Sequence, residues 1–278
     1  MRTLPLPKLV VTHAALMLAS AIVLYPVLWV VKMAFSPSQA FSMSPNPIPT
    51  QVTLDNFIYL FTMQDGILWR QLLNSVVVSA ATTLIGVVLA STAAYAFSRF
   101  RFPGRKLGMA GFLITQMFPG VVMAIPLYIL LDELGLLNSL TGLILVYSTS
   151  SLPFCVWMLK GYFDTIPRDL EEAAIMDGAS QWTLFTQIIL PLARPAIVVT
   201  ALFSFMTAWN EFILAATFLS DENMFTLPVV LQRFVGDYST QWGYFAAGAI
   251  LVSVPVMLLF FRLQKYLIGG LTAGAVKG

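Results

Sequence analysis

The chain has 278 residues, 58% of them hydrophobic and only 10% charged, with a formal net charge of +2 at pH 7. Ordinary soluble domains do not reach that apolar share, so the composition excludes them and places the chain in a bilayer, with membrane lipid as a partner and no nucleic acid expected.

About 20 apolar residues at 1.5 Å rise cross a hydrocarbon core. Six stretches near that length are predicted as spanning helices: residues 9–31, 72–97, 107–131, 140–159, 196–219 and 243–261. Backbone groups inside lipid must bond within their own segment, and these runs are too long and too uniform for barrel strands. An all-α integral membrane bundle is therefore predicted, as a single domain over 1–278. The first span has a basic start and the small-residue run Ala19, Ser20, Ala21, as signal peptides do, yet its apolar run continues well past that point, as an anchor's does.

Lys and Arg distribute unevenly between the connecting segments. Arg2, Lys8, Arg99, Arg101, Arg105, Lys106, Lys160, Arg168, Arg194, Arg262, Lys265 and Lys277 share one side, against Lys32, Arg70 and Arg233 on the other. Basic residues are retained on the cytoplasmic side, so both termini and the segment 164–195 are expected in the cytoplasm. Two longer segments then face outside. Residues 35–71 contain "SPNPIP", a stiff proline-rich connector unsuited to a helix interior, and residues 221–242 contain "FTLPVVLQRFVGDYSTQW".

No catalytic or metal-binding set is found. The phosphate-cradling pattern G-x-x-x-x-G-K-[ST] is absent, as are H-E-x-x-H and any cysteine cluster, and no Ser/His/Asp set shares one aqueous face. The single cysteine, Cys155, lies inside a span and has no disulfide partner, and the single histidine, His13, has no second histidine to join it at a metal. Any driving energy must come from elsewhere.

The segment 164–195 is the charged exception. Pro167 suits a first helical turn, the acids Asp169, Glu171 and Glu172 favour the positive helix N-terminus, and Gly178 suits a C-cap. Ser180 can cap a second helix, 181–190, expected to stop at Pro191, with Pro195 opening the fifth span. Leu170, Ala173 and Ala174 share a face and leave a shallow small-residue surface against which another protein can dock closely. A solvated, capped loop is the alternative on helix chemistry alone.

Glu172, Ala173, Ala174, Gly178, Ile188, Leu190 and Pro191 match, at every fixed position, the spaced signature E-A-A-x3-G-x9-I-x-L-P. With "AYAFSRFRFPG", "QMFPGVV", "WMLKGYFDTIP", "WNEFILAATFL" and "GGLTAGAVKG", the chain resembles the carbohydrate-uptake permeases of bacterial ABC importers along nearly its whole length. The resemblance implies a type I ABC importer permease of six spans, located in the bacterial inner membrane and without a cofactor of its own; ATP and magnesium would be bound by partner subunits. It implies a coupling helix in which Glu172, Ala173, Ala174, Asp177 and Gly178 dock on an ATPase, with Ile188, Leu190 and Pro191 fixing the elbow to the bundle. A tail containing Gly274, Lys277 and Gly278 would reach between two ATPase subunits. Further implied partners are a second, related permease and an extracytoplasmic sugar-binding protein approached by Thr226, Leu227, Pro228 and Tyr238.

Glu211 is the only charge within a span, preceded by Asn210. An intramembrane acid marks either a functional site or a structural hydrogen bond between helices. The resemblance sets Trp209, Asn210 and Glu211 near a translocation path, and Phe118, Tyr128, Tyr95, Tyr147 and Phe205 offer further faces for a sugar, or for helix packing. No Lys or Arg lies inside a span, which disfavours a strongly anionic solute. A neutral oligosaccharide such as maltose or maltodextrin is expected, with polyols and other small solutes as alternatives. A secondary carrier working through Glu211 would need further intramembrane ionisable groups.

Overall fold

The computed structural model describes residues 5–236 and 239–273. Among the described residues the chain is helical, with one isolated antiparallel bridge between Val235 and Thr240 and no strand. Four helices are long and apolar enough to cross a membrane alone: Pro7–Ala34, Leu68–Arg99, Leu140–Phe163 and Trp242–Tyr266. The bent pairs Arg105–Met117 with Gly120–Glu133 and Gln181–Leu192 with Arg194–Trp209 raise the number to six if each pair is one span. By backbone proximity the chain forms two compact units, Met1–Trp69 with Val230–Val254 and Arg70–Val229 with Pro255–Gly278.

In the first unit, α1 (Leu6–Ala34) is apolar and exposed along most of its length, and becomes buried only at Lys32, Met33 and Ala34. The segment that follows is not all connector. Its proline-rich part is non-helical, but Asp55–Thr62 forms α2, with Asp55 at the positive helix start. Asn56 fastens the turn between them: its buried amide donates to the carbonyls of Ala34 (2.9 Å) and Ser36 (2.8 Å) and accepts from Gln39 (2.7 Å).

The second unit is built on α3 (Leu68–Arg99), followed by α4 (Arg105–Met117), α5 (Gly120–Glu133), α6 (Leu140–Phe163), α7 (Asp169–Met176), α8 (Gln181–Leu192), α9 (Arg194–Trp209) and α10 (Ile213–Phe218). Helices α3, α6 and α9 meet through small residues, because a β-carbon on Gly86 would lie 3.1 Å from the Ser151 hydroxyl and 3.6 Å from that of Ser204. Small residues let backbones approach where lipid supplies no hydrophobic drive. Beyond it, α11 (Leu227–Gln232) and α12 (Trp242–Ala273) complete the described chain.

Three expectations about continuity are corrected. The stretch 107–131 is two helices bent by 100°, because Pro119 pushes Phe118 into an extended conformation (φ −80°, ψ 121°). The stretch 196–219 unwinds after Trp209 and resumes as α10. Pro191 does not stop its helix: α8 continues to Leu192 after a π-helical turn over Leu184–Ile189, whose wider spacing relieves the demand for the hydrogen bond that proline cannot donate.

Candidate functional site

Helix α7 follows α6 after a short turn and begins two residues later than a start at Pro167 would give, with Arg168 at its N-cap and Pro167 ahead of it. At its other end the amide of Gly178 donates to Ile175 O (2.9 Å) and that of Ala179 to Ala174 O (2.9 Å). This paired 5→2 and 6→1 closure needs a left-handed residue, and Gly178 has φ +86°. A side chain there would meet nothing within 4 Å inside the chain, so the turn is open space outward.

The faces of α7 divide sharply. Glu171 is buried and Ala174, three residues on, is half-buried, whereas Glu172, Ala173, Asp177 and Gly178 are exposed. Met176 (87% exposed) and Trp182 (69%) stand on either side of the Gly178 turn, so the elbow ends in an apolar-rimmed knob.

Glu171 turns inward to meet Arg99, the last residue of α3. Arg99 Nε donates to Glu171 Oε1 at 2.5 Å, with the two side chains only 7% and 10% exposed. The same guanidinium donates through Nη2 to Ile166 O (3.1 Å) and through Nη1 to Ser98 Oγ (3.1 Å). The Tyr95 hydroxyl lies 3.4 Å from Glu171 Oε2 and 3.3 Å from Gln181 Oε1. Tyr95 thus serves the elbow, not a sugar-stacking face. Ser98 Oγ donates to Asp164 Oδ1 (2.6 Å), and Lys160 pairs with Asp164 Oδ2 at 2.5 Å. Burial works to raise the Asp164 pKa, but hydrogen bonds from Lys160 and Ser98 and the charges of Lys160 and Arg99 outweigh it, leaving the carboxyl below its usual range.

The second arm is seated by apolar packing. Phe185, Ile189 and Ala193 join Ala90, Ala94 and Tyr95 of α3 and Cys155, Val156, Leu159 and Phe163 of α6 in one cluster. The π turn sets Leu184 and Ile189, five residues apart, both fully buried. Of the residues expected to fix the elbow, Leu190 packs against this cluster, Ile188 is half-buried, and Pro191 is exposed because the wider turn shifts the helix phase.

At the other end of α3, Gln71 donates to Glu222 O (3.0 Å), and Asn74 donates to Asn223 O (2.8 Å) and Phe225 O (3.1 Å). Ser75 Oγ accepts from Leu227 N (2.7 Å). Thr226 and Leu227 are therefore buried and Pro228 half-buried, so these side chains hold the segment from within; Asn223 and Gln232 are exposed. Tyr238, Gly274, Lys277 and Gly278 lie outside the described residues.

The Glu211 site lies where α9 ends. Its carboxylate accepts the Leu214 (2.9 Å) and Ala215 (3.1 Å) amides at the start of α10 and the Tyr147 hydroxyl of α6 (2.5 Å). Asn210 bonds back to Met206 O (2.9 Å), and Trp209 is buried with its ring stacked on Phe205. Phe118 is exposed at the α4–α5 bend, and Tyr128 of α5 is exposed with its ring 6.5 Å from Phe218 of α10. Glu211 and Tyr147 thus form a hydrogen-bonded junction with α10, Trp209 is buried, and Asn210, Phe118 and Tyr128 are the members of the expected path that present surface.

Residues 82–272 match the family described as the binding-protein-dependent transport system inner membrane component. The chain is 39% identical over 273 residues to the galactooligosaccharides transport system permease protein GanQ of Bacillus subtilis (strain 168), covering 98% of this chain and 96% of the relative. It is 38% identical to the maltose/maltodextrin transport system permease protein MalG of Escherichia coli (strain K12), with the same coverage. The trehalose transport system permease protein SugB of Mycobacterium tuberculosis (strain CDC 1551 / Oshkosh) is 37% identical over 92% of this chain and 93% of its own. A solved chain of a bacterial ABC transporter importing the acidic polysaccharide alginate superposes with a TM-score of 0.79 at 21% identity, over 96% of this chain and 99% of that one. The architecture is that of an all-α ABC importer membrane subunit, and the chain belongs to the family of binding-protein-dependent transport system inner membrane components. Such components are multi-pass inner-membrane permeases, not enzymes.

Proposed function

We propose that this chain is the permease subunit of an ATP-driven, binding-protein-dependent importer of neutral oligosaccharides, with galacto-oligosaccharides and maltose or maltodextrin as leading substrates. The observation that carries the reading is the elbow: an exposed knob around Gly178 rigidly fastened, through buried Glu171 and Arg99, to the end of a spanning helix. Such a lever suits transmission of force from a separate motor. The sugar class is supported by the substrates in the names of the relatives and by predicted spans free of Lys and Arg.

Two ATPase subunits bind ATP and magnesium; one of them docks on Glu172, Ala173, Ala174, Asp177 and Gly178, with Ile188, Leu190 and Pro191 in the arm behind, and the tail bearing Gly274, Lys277 and Gly278 runs between the two. A second permease supplies the other half of the path, to which Phe118, Tyr128 and Asn210 contribute, with Trp209 and Glu211 behind them. An extracytoplasmic sugar-binding protein meets the segment 221–242, to which Tyr238 belongs and in which Asn223 is exposed. The two units act together as one transmembrane domain, with both termini and the elbow in the cytoplasm. This orientation is supported by the Lys and Arg asymmetry. Access alternates as the ATPases close and reopen.

Gly178→Asp tests the docking surface. The left-handed turn resists a β-carbon by about 1–2 kcal/mol, and the new carboxylate projects from the knob. Normal amounts of permease should reach the membrane without co-purifying ATPase and without sugar uptake. Normal co-purification with normal uptake would refute the assignment.

A further inference from the structure

Beside the elbow, the start of α4 and the end of α6 border a groove that the coupling role does not use. Two adjoining cavities of about 420 Å³ each share Arg105 and Lys106. One is completed by Arg101, Phe102, Gly104 and Leu107, the other by Met109, Ala110, Leu113, Trp157 and Lys160.

The residue order along both helices is the informative feature. On α4, Arg105, Met109 and Leu113 follow at four-residue spacing, and Lys106 precedes Ala110 by the same interval, so cations stand at one end and apolar groups line the wall. On α6 the chain runs the opposite way, and Trp157 precedes Lys160, again with the cation at the end nearest the elbow. Leu113 lies about 12 Å along the helix from Arg105, at 1.5 Å per residue. The groove is thus basic at its mouth and apolar further along two spanning segments, with a partly exposed indole between.

The charge at the mouth is largely uncompensated. Lys160 is paired with Asp164, and Arg105 uses its Nε on Phe97 O (2.8 Å), but no ion pair with Arg101, Arg105 or Lys106 occurs among the described residues.

We propose that this groove binds an anionic phospholipid, its phosphate headgroup against Arg101, Arg105 and Lys106 and an acyl chain along Met109, Ala110, Leu113 and Trp157. The graded polarity fits that molecule: a soluble anion would gain nothing from the apolar wall, and a zwitterionic lipid little from three cations. Arg101 lies two residues after Arg99 and Lys160 four before Asp164, so an occupied headgroup would sit next to the elbow's anchor.

The test is native mass spectrometry of the whole transporter, released from nanodiscs containing phosphatidylglycerol and phosphatidylcholine. Phosphatidylglycerol should be retained in preference and should persist against millimolar inorganic phosphate. Arg101→Gln with Lys106→Gln should lower retention about 25-fold, at about fivefold per cation. Ala110→Trp should also lower it, by filling the wall with charge unchanged. Arg262→Gln with Lys265→Gln, a basic pair elsewhere, should leave it unaltered. Equal loss in that control would mean diffuse attraction only, and displacement by phosphate would mean a soluble-anion site. Unchanged retention in both groove variants, or cross-linking of Lys106→Cys to the second permease in place of lipid, would equally overturn the proposal. The readout does not depend on transport, so it stands or falls apart from the coupling role.

Discussion

A carboxylate inside a spanning segment is costly unless its oxygens are satisfied, and Glu211 is satisfied within the chain by two backbone amides and the Tyr147 hydroxyl. Its work is to restart a helix where α9 has unwound. Glu211→Gln keeps one acceptor oxygen, enough for the Ala215 amide and the Tyr147 hydroxyl that share Oε2, and gives up only the bond from the Leu214 amide, so it should leave uptake within about threefold of normal, with the same pH profile. Glu211→Ala strands three donors and should lower thermal stability by about 1–3 kcal/mol per unsatisfied buried group. Uptake and melting of the purified complex across pH 5–8 check both; loss of uptake in Glu211→Gln with a shifted pH profile would restore a proton-coupled carrier. The sequence exposed the anomaly of Glu211 but not Tyr147, its partner 64 residues away. Arg99 and Glu171, 72 residues apart, escaped for the same reason. Asp169, Glu171 and Glu172 look alike as acids of a first turn, and only the packing of α7 against α3 selects the middle one. A basic residue closing a spanning helix near an acid-rich loop was the one available signal.

At the scale of elements, hydropathy located the spans because apolar length survives averaging, and averaging also hid their breaks. Pro119 and Asn210 sit in windows that remain apolar overall, so 107–131 and 196–219 read as straight helices. The elbow was legible for its caps and its signature spacing, and its lower arm was misjudged at Pro191 because π-helical turns have no sequence pattern. The helix α2 was missed since its fastening, through Asn56, is long-range. The elbow's exposure allows its side to be measured. Met176→Cys and Leu134→Cys place thiols at exposed positions after α6 and before it, while native Cys155 is fully buried. A membrane-impermeant maleimide should label Leu134→Cys on intact cells and Met176→Cys only after the membrane is opened. The reverse pattern would invert the proposed orientation.

At the scale of the molecule, α3 is held at both ends. Gln71, Asn74 and Ser75 grip the segment 222–227, and Tyr95, Ser98 and Arg99 grip the elbow. In the proposed coupling a push on the knob would reach α3 directly as well as through its chain neighbours α6 and α9, and α3 would link it to the far segment. Within the coupling proposal, the buried pair is the joint most sensitive to damage. Removing one partner of such a pair leaves an uncompensated charge and costs about 3–5 kcal/mol, whereas replacing both with apolar groups is often neutral.

Sugar uptake and ATP hydrolysis measured together in proteoliposomes, for the complex carrying Arg99→Met, test the lever most directly. The ATPase subunits should remain bound and hydrolyse ATP while uptake per ATP falls at least tenfold, and Glu171→Met added to it should recover part of the loss. Unchanged uptake per ATP in Arg99→Met would contradict force transmission through this joint.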